Sequence, residues 1–281
     1  MPRESSPRIS VTIPVLNGMP YIQVAVDSVL RQLEVTDELV VVDNASTDGT
    51  TEYLRTLVAP RARLVVRAET QDAASNWTQA IQETSGTYIK LICGDDLIEP
   101  GCLDEQSRLL DEDDRLVMVA GKRTIVDDQD AVLIASHGLN GLPDRMKGSE
   151  AIRRCLLAGT NLLGEPAAVM FRGSYIRSAM PWDDKWPYML DLATYARVAI
   201  RGDIAFIHHP VARFRVSPTS WSSQTLSDQP RDFKKWRDWQ AKQMGSPLSA
   251  LERTRANLAL WARTVARRIY FKRVARRAAR R

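Results

Sequence analysis

Long apolar runs are missing from this 281-residue chain, and no stretch approaches the roughly 18 residues that a membrane-spanning helix needs. The opening segment MPRESSPRIS has no apolar stretch of the kind found in a signal peptide. Cysteine is scarce. Cys93, Cys102 and Cys155 are far apart and odd in number, which argues against a disulfide framework or a zinc site and fits a reducing cytosol. Neither G-x-x-x-x-G-K-[ST] nor G-x-G-x-x-G occurs, which weakens P-loop, kinase and dinucleotide-binding readings. Internal repeats are absent, and the only low-complexity tract is the Arg-rich end.

What is present is ordinary globular composition, 44% hydrophobic and 26% charged, with a net charge of +5 that hides an asymmetry. Residues 251–281 hold 11 Arg or Lys against one Glu, so this end is strongly basic and the remaining body mildly acidic. RISVTIPVL (8–16), ELVVVD (38–43), RLVVR (63–67) and TYIKLIC (87–93) read as buried strands. Between them, the spacing of Ile22, Ala25, Val26, Val29, Leu30 and Leu33, the segment TEYLRTLV and the stretch Ala74–Thr84 read as helices. The second half is less regular: strands are expected over 116–128, 166–172 and 203–216, and helices over 149–157 and 188–202. Alternating strands and helices predict an α/β fold with a mainly parallel sheet and helices on both faces.

In such a sheet, ligands bind beyond the carboxyl ends of the strands. Those ends carry Asn17, then Asp43 with Asp48 nearby, then Asp95 and Asp96 in ICGDD. Two vicinal carboxylates are costly to bury unless a cation or hydrogen bonds compensate them. Mg²⁺ and Mn²⁺ take oxygen ligands and commonly bridge one or two carboxylates to substrate phosphates. The sequence thus suggests a site where metal, rather than a glycine loop, holds phosphates.

VTIPVLNGMPYIQVAVDSVLRQ, ELVVVDNASTDGT and ASNWTQAIQETSGTYIKLICGDDLIEPG, in this order and spacing, resemble the opening of family 2 glycosyltransferases with the GT-A fold. A weaker resemblance covers 160–220, through GEPAAVMFRGSYI and MLDLATYARVAIRGDIAFIHHPVARFRV. The resemblance implies that Pro14 and Asn17 line a nucleotide pocket, that Asp43 binds the base edge with Asn44 and Ser46 nearby, and that Asp48 shapes the loop. It places Asn76 near the sugar nucleotide, Asp95 on Mn²⁺ or Mg²⁺, Asp96 beside it in the substrate site, and Glu165 and Arg172 on the acceptor side. It implies Asp191 as the general base, with Arg197 six residues on; Asp183 and Asp184 are rivals for that role.

The sequence departs from the family pattern at three points. Cys93 replaces the first aspartate of D-x-D, Leu190 replaces the glutamate before Asp191, and Ser217 stands where a histidine often follows [YF]-R-V. Cys93 reads as a buried strand-end residue rather than a thiolate ligand, and His208 and His209 as strand-end residues. The Q-x-x-R-W motif of polymer-making members is absent, which favours transfer of a single sugar.

The expected organisation is a GT-A domain over 1–220, with a nucleotide-sugar half to 110 and an acceptor half beyond it. An irregular linker over 221–250 and a basic amphipathic helix over 251–281 follow. Leu258, Trp261, Val265 and Ile269 make an apolar stripe among arginines, as in helices that lie on anionic membranes. The expected partners are a nucleoside-diphosphate-sugar donor, UDP foremost, a glycan or lipid-linked saccharide acceptor, and the inner membrane face, with no nucleic acid. Two alternatives remain open: an inactive nucleotide-sugar- or glycan-binding protein of the same fold, and a nucleotidyltransferase.

Overall fold

The computed structural model describes residues 6–57, 59–217 and 229–278. In chain order its elements are β1 (Ile9–Val15), α1 (Tyr21–Leu30), β2 (Glu38–Asp43), α2 (Thr50–Arg55), β3 (Ala62–Val66), α3 (Ala73–Gln82), β4 (Tyr88–Leu91), β5 (Leu97–Ile98) and α4 (Cys102–Glu112). The second half adds β6 (Leu116–Val126), β7 (Val132–His137), β8 (Arg145–Lys147), α5 (Gly148–Ala158), β9 (Val169–Arg172) and α6 (Gly173–Ser178). It closes with α7 (Leu190–Ala199), β10 (Asp203–Arg215), α8 (Gln229–Gln243) and α9 (Ala250–Ala278).

β1 is buried along its whole length, as a β-branched run between two parallel neighbours must be. The main path of the sheet runs β3-β2-β1-β4-β9-β6-β10-β5, with β7 beside β6 and β8 beside β10. β3, β2, β1 and β4 are parallel, so their carboxyl ends share one edge. β9 is antiparallel to β4 and β6, while β10 runs parallel to β6. Apolar side chains pack on both faces: α1 and α4 cover one, and α5, α7 and the tryptophans Trp182, Trp186 and Trp236 belong to the core on the other. The fold is the mixed α/β, largely parallel architecture expected.

The C-terminal region differs from expectation. The span 221–250, read as irregular linker, contains α8, which buries Phe233, Trp236 and Arg237. A period-3.6 apolar face was hidden there by the many charged residues around it. The basic helix is helical as expected, but its first half packs on the body: Ala256 and Leu260 are buried, and Gly159 at the end of α5 lies so close that a Cβ there would sit 2.8 Å from the Leu260 backbone.

Candidate active site

Two groups of polar residues lie along the carboxyl edge of the parallel strands. The first is built by the loops after β1 and β2. Asp43, fully buried, accepts from the Ser46 hydroxyl at 2.5 Å and the Ser46 amide at 3.2 Å through one oxygen, and from the Thr51 hydroxyl through the other. The Ser46 hydroxyl in turn accepts from the Asn17 amide at 2.8 Å, and Asn17 Oδ1 accepts from the Thr47 amide at 2.9 Å. Asp48 accepts from the Met19 amide and the Thr50 hydroxyl, at 2.9 and 2.6 Å. Asn44 exchanges hydrogen bonds with the Gln71 backbone at 2.8 and 3.0 Å and so joins the loops after β2 and β3. Asn17 and Ala45 have φ of 53° and 61°, a left-handed conformation that side chains resist and that these bonds hold in place. Pro14 is buried in β1 opposite Val42. Asn76 is buried on α3, with its Oδ1 lacking a partner.

The second group lines a cleft of about 540 Å³ beyond β4. Here β4 ends and the turn Cys93-Gly94-Asp95-Asp96 delivers both carboxylates to the cleft wall. Gly94 fits because a Cβ would lie 2.8 Å from Val15. Asp96 accepts from the Arg215 amide at 3.0 Å through Oδ1, while its Oδ2 is buried without a partner. Burial, then the Asp95 charge, pushes the Asp96 carboxyl well above its usual range, and burial raises Asp95 too. Glu165 and Asp191 line the same cleft.

Asp191 opens α7, where its carboxylate accepts from the Leu192 amide at 2.6 Å and from Asn161 Nδ2 at 2.8 Å. The orientation of that amide is fixed, because Asn161 Oδ1 accepts from the backbone N–H groups of Leu163 and Gly164 at 2.9 and 3.3 Å. Burial is the main reason the Asp191 carboxyl is pushed up to about 6; the nearby Glu165 charge adds to it, and the two hydrogen bonds oppose it. A carboxylate with that value, open to a cleft, has the properties of a general base near neutrality. Asp183 and Asp184 do not line this cleft.

Cys93 borders the cleft, but burial and the charges of Asp96, Asp95, Asp191 and Glu165 raise its thiol well above its usual value. It is a neutral thiol, as expected of a strand-end residue and not of a thiolate ligand. The expected acceptor-side role of Arg172 is corrected by the topology. β9 runs antiparallel to β4, so Glu165 before β9 stands at the site edge, whereas Arg172 at its far end pairs with Tyr88, at the opposite edge. There its guanidinium donates to the carbonyls of Leu116, Leu110 and Asp113 at 3.0, 2.7 and 3.2 Å, fastening the end of α4 to the start of β6.

Several residues of the site escape a reading of the sequence. Arg215, 1% exposed in its side chain, donates to the carbonyls of Asp95 and Asp127 at 3.0 Å each and to Asp130 at 2.7 Å, and stacks 4.4 Å from the Tyr21 ring centre. It thereby holds the Asp95–Asp96 turn. An arginine at the very end of β10, in FRV, was the signal available for it. Arg123 pairs with Glu165, and α9 brings Arg263 and Arg267 to the cleft wall. Nothing in local sequence points to these contacts.

Among the described residues no group of three or more His, Cys, Asp or Glu forms a ready-made metal cage. The residues present nevertheless fit Mn²⁺ or Mg²⁺. Asp96 Oδ2 is an unpartnered buried acceptor, Asp95 opens to the cleft beside it, and burial raises both carboxyls although Arg215 lies close by. Such ions are ordinarily held by one or two carboxylates completed by substrate phosphates.

The fold and this edge-on acidic site define a GT-A-type glycosyltransferase. The family model described as "Glycosyl transferase family 2" matches residues 10–176, more than half the chain, and the chain belongs to that family. It is 27% identical over 228 residues to "Uncharacterized protein MT1568" of Mycobacterium tuberculosis, covering 79% of this chain and 72% of that one. It is 28% identical over 133 residues to the succinoglycan biosynthesis protein ExoO of Rhizobium meliloti, covering 47% of this chain and only 36% of that protein. Among solved structures, S. aureus TarS 1-349 in complex with UDP-GlcNAc superposes with a TM-score of 0.65 at 14% identity, covering 90% of this chain and 71% of that one. That likeness is one of fold.

Proposed function

We propose that the protein transfers a single sugar from a nucleoside-diphosphate-sugar, UDP foremost, to a hydroxyl of a glycan or lipid-linked saccharide, with inversion at the anomeric carbon. The observation that carries this reading is one cleft lined by Asp95, Asp96 and Asp191, with the Asp191 carboxyl raised to about 6. The acceptor oxygen bonds to the anomeric carbon as the bond to the diphosphate oxygen breaks. The hydroxyl proton passes to Asp191, and the nucleoside diphosphate leaves with the bonding pair. Mn²⁺ or Mg²⁺, held by Asp95 with Asp96 beside it, would supply neutralisation of the charge gathering on that leaving group. The Asp43–Ser46–Asn17 network and Asn44, Asp48 and Asn76 shape the neighbouring region for the nucleotide, and Glu165 lies on the acceptor side.

A place in cell-surface polysaccharide biosynthesis is suggested by the relative named for succinoglycan biosynthesis. No helix among the described residues is long and apolar enough to cross a membrane. An outward stripe on α9 supports peripheral attachment to an anionic membrane at its cytoplasmic face: Leu258 and Trp261 are 64% and 67% exposed, amid arginines. The inactive-protein reading rested on Cys93 and Leu190. The mechanism uses the carboxylates Asp95 and Asp191, both of which line the cleft, and Leu190 packs in the core.

The test is thermal unfolding with UDP, dTDP, GDP and CDP, each with and without Mn²⁺. One nucleotide at about a hundred times its dissociation constant should add about 2.7 kcal/mol of stability, only with metal, and Asp95→Ala should abolish the gain. No shift with any of the four would refute the donor site.

A further inference from the structure

The inward face of α9 changes character along its length. Ala256 and Leu260 pack on the body, yet one turn further the same face presents Arg263 and Arg267 to the cleft. A helix that only needed to dock would have kept that stripe apolar. Arg263 donates through Nε to the Ala158 carbonyl at 2.8 Å, where α5 ends; its terminal nitrogens make no hydrogen bond among the described residues. Arg267 donates to the Tyr188 hydroxyl and at 2.5 Å to Gln229. Arg123 and His137 stand on the neighbouring strands of the same cleft. Among the described residues Glu165 is the one carboxylate paired with this group, and its partner is Arg123. Arg263 and Arg267 are one turn apart, and burial, then the Arg267 charge, lowers the Arg263 value; His137 is lowered by burial, then by the Arg123 charge, with smaller contributions from Arg263 and Arg267. Among the described residues neither Arg263 nor Arg267 has a carboxylate partner, whereas Arg123 is paired with Glu165 and Arg215 with Asp130.

We propose that Arg263 and Arg267 form an acceptor subsite for an anionic group, so that the acceptor is a saccharide carrying a carboxylate or a phosphate. The inference rests on the transfer reading above and names its acceptor class. The contact of Arg267 with Tyr188, close to Asp191, decides for acceptor over donor. Arg267 meets Tyr188, whose hydroxyl also feels the Asp191 and Glu165 charges, so the cations border the base that receives the acceptor proton. Asp95 and Arg215 line the cleft at the turn after β4, where the donor diphosphate is expected. A guanidinium with free terminal N–H groups offers the forked geometry that carboxylate and phosphate oxygens accept.

The test titrates the full chain, in the presence and absence of UDP and Mn²⁺, with sodium glucuronate, glycerol 1-phosphate and glucose at constant ionic strength, reading tryptophan fluorescence and the unfolding midpoint. At least one anionic probe should bind and glucose should not. Which of the two anions binds distinguishes a uronic acid from a phosphate. Arg263→Gln should weaken that probe about tenfold or more, and Arg263→Lys less, while Arg255→Gln on the exposed side of α9 should leave it unchanged. The UDP–Mn²⁺ shift should persist in all three. Failure of both anions to bind, equal binding of glucose, or equal weakening by Arg255→Gln would overturn the subsite. Loss of the UDP–Mn²⁺ shift in Arg263→Gln, in a variant that still unfolds cooperatively, would reassign the cations to the donor diphosphate. A wild-type chain that binds an anionic probe but gives no nucleotide response would refute the donor reading and leave the anion site standing.

Discussion

Asp191→Asn should trade activity for stability, and the trade should depend on pH. The native carboxyl titrates near 6, against an ordinary value of 3.8. Folding therefore binds extra proton between about pH 4 and 6, and the contribution of this group to stability is lost as pH rises through that window. Complete transfer of that difference would amount to about 3 kcal/mol, and access of solvent from the cleft reduces it to about 1.5–3 kcal/mol. The asparagine variant carries no such loss, but it introduces a defect of its own. The Leu192 amide needs an acceptor, so the new Nδ2 faces Asn161 Nδ2, and Asn161 cannot turn over because its Oδ1 accepts from Leu163 and Gly164. That mismatch costs about 1–3 kcal/mol at every pH. At pH 4 the variant should thus be the less stable protein, and by pH 8 the gap should have closed or reversed. In calorimetry the difference in midpoint should move by several degrees between the two pH values, since 1 kcal/mol shifts a domain of this size by about 2–4 °C. Sugar transfer should fall by about two to four orders of magnitude while the UDP–Mn²⁺ shift is retained. A gap in midpoint that stays constant from pH 4 to 8 would refute the raised carboxyl, and unimpaired transfer would refute the base.

Other outcomes follow from the same geometry. In the wild type, kcat/KM should fall as pH drops through about 6, because protonated Asp191 cannot accept the acceptor proton, and the pH profile of transfer checks this. Arg172→Met strips three carbonyls of their donor and should lower stability by about 2–4 kcal/mol in urea unfolding, with KM for donor and acceptor unchanged. A raised KM would return Arg172 to the site. Trp261→Glu with Leu258→Glu should weaken sedimentation with vesicles of anionic phospholipid without altering the unfolding midpoint, since both side chains point away from the body. Undiminished sedimentation would sink the attachment.

Legibility in the sequence followed range. Strands such as ELVVVD, found as Glu38–Asp43, announce themselves through local composition, and a parallel sheet must send their carboxyl ends to one edge. Asp43, Asp95 and Asp96 were therefore readable as strand-end candidates, whereas Asp191 was reached only through the family resemblance. Local sequence also determined that 251–278 would be helical, and its charge gave that helix a separate character. The reversal of β9 was not readable. Whether a strand runs with or against its neighbours depends on partners far away in the chain, and that one reversal put Glu165 at the site and Arg172 at the other end of the sheet. Arg215 gained its role only when β10 came beside the β4 turn, 120 residues distant in sequence. Likewise, the sequence fitted α9 equally well to a free tail or a docked helix. Close packing of Leu260 against Gly159 turned its next arginines into a wall of the cleft, because long-range packing, and not helical propensity, chooses which face of a helix meets the body.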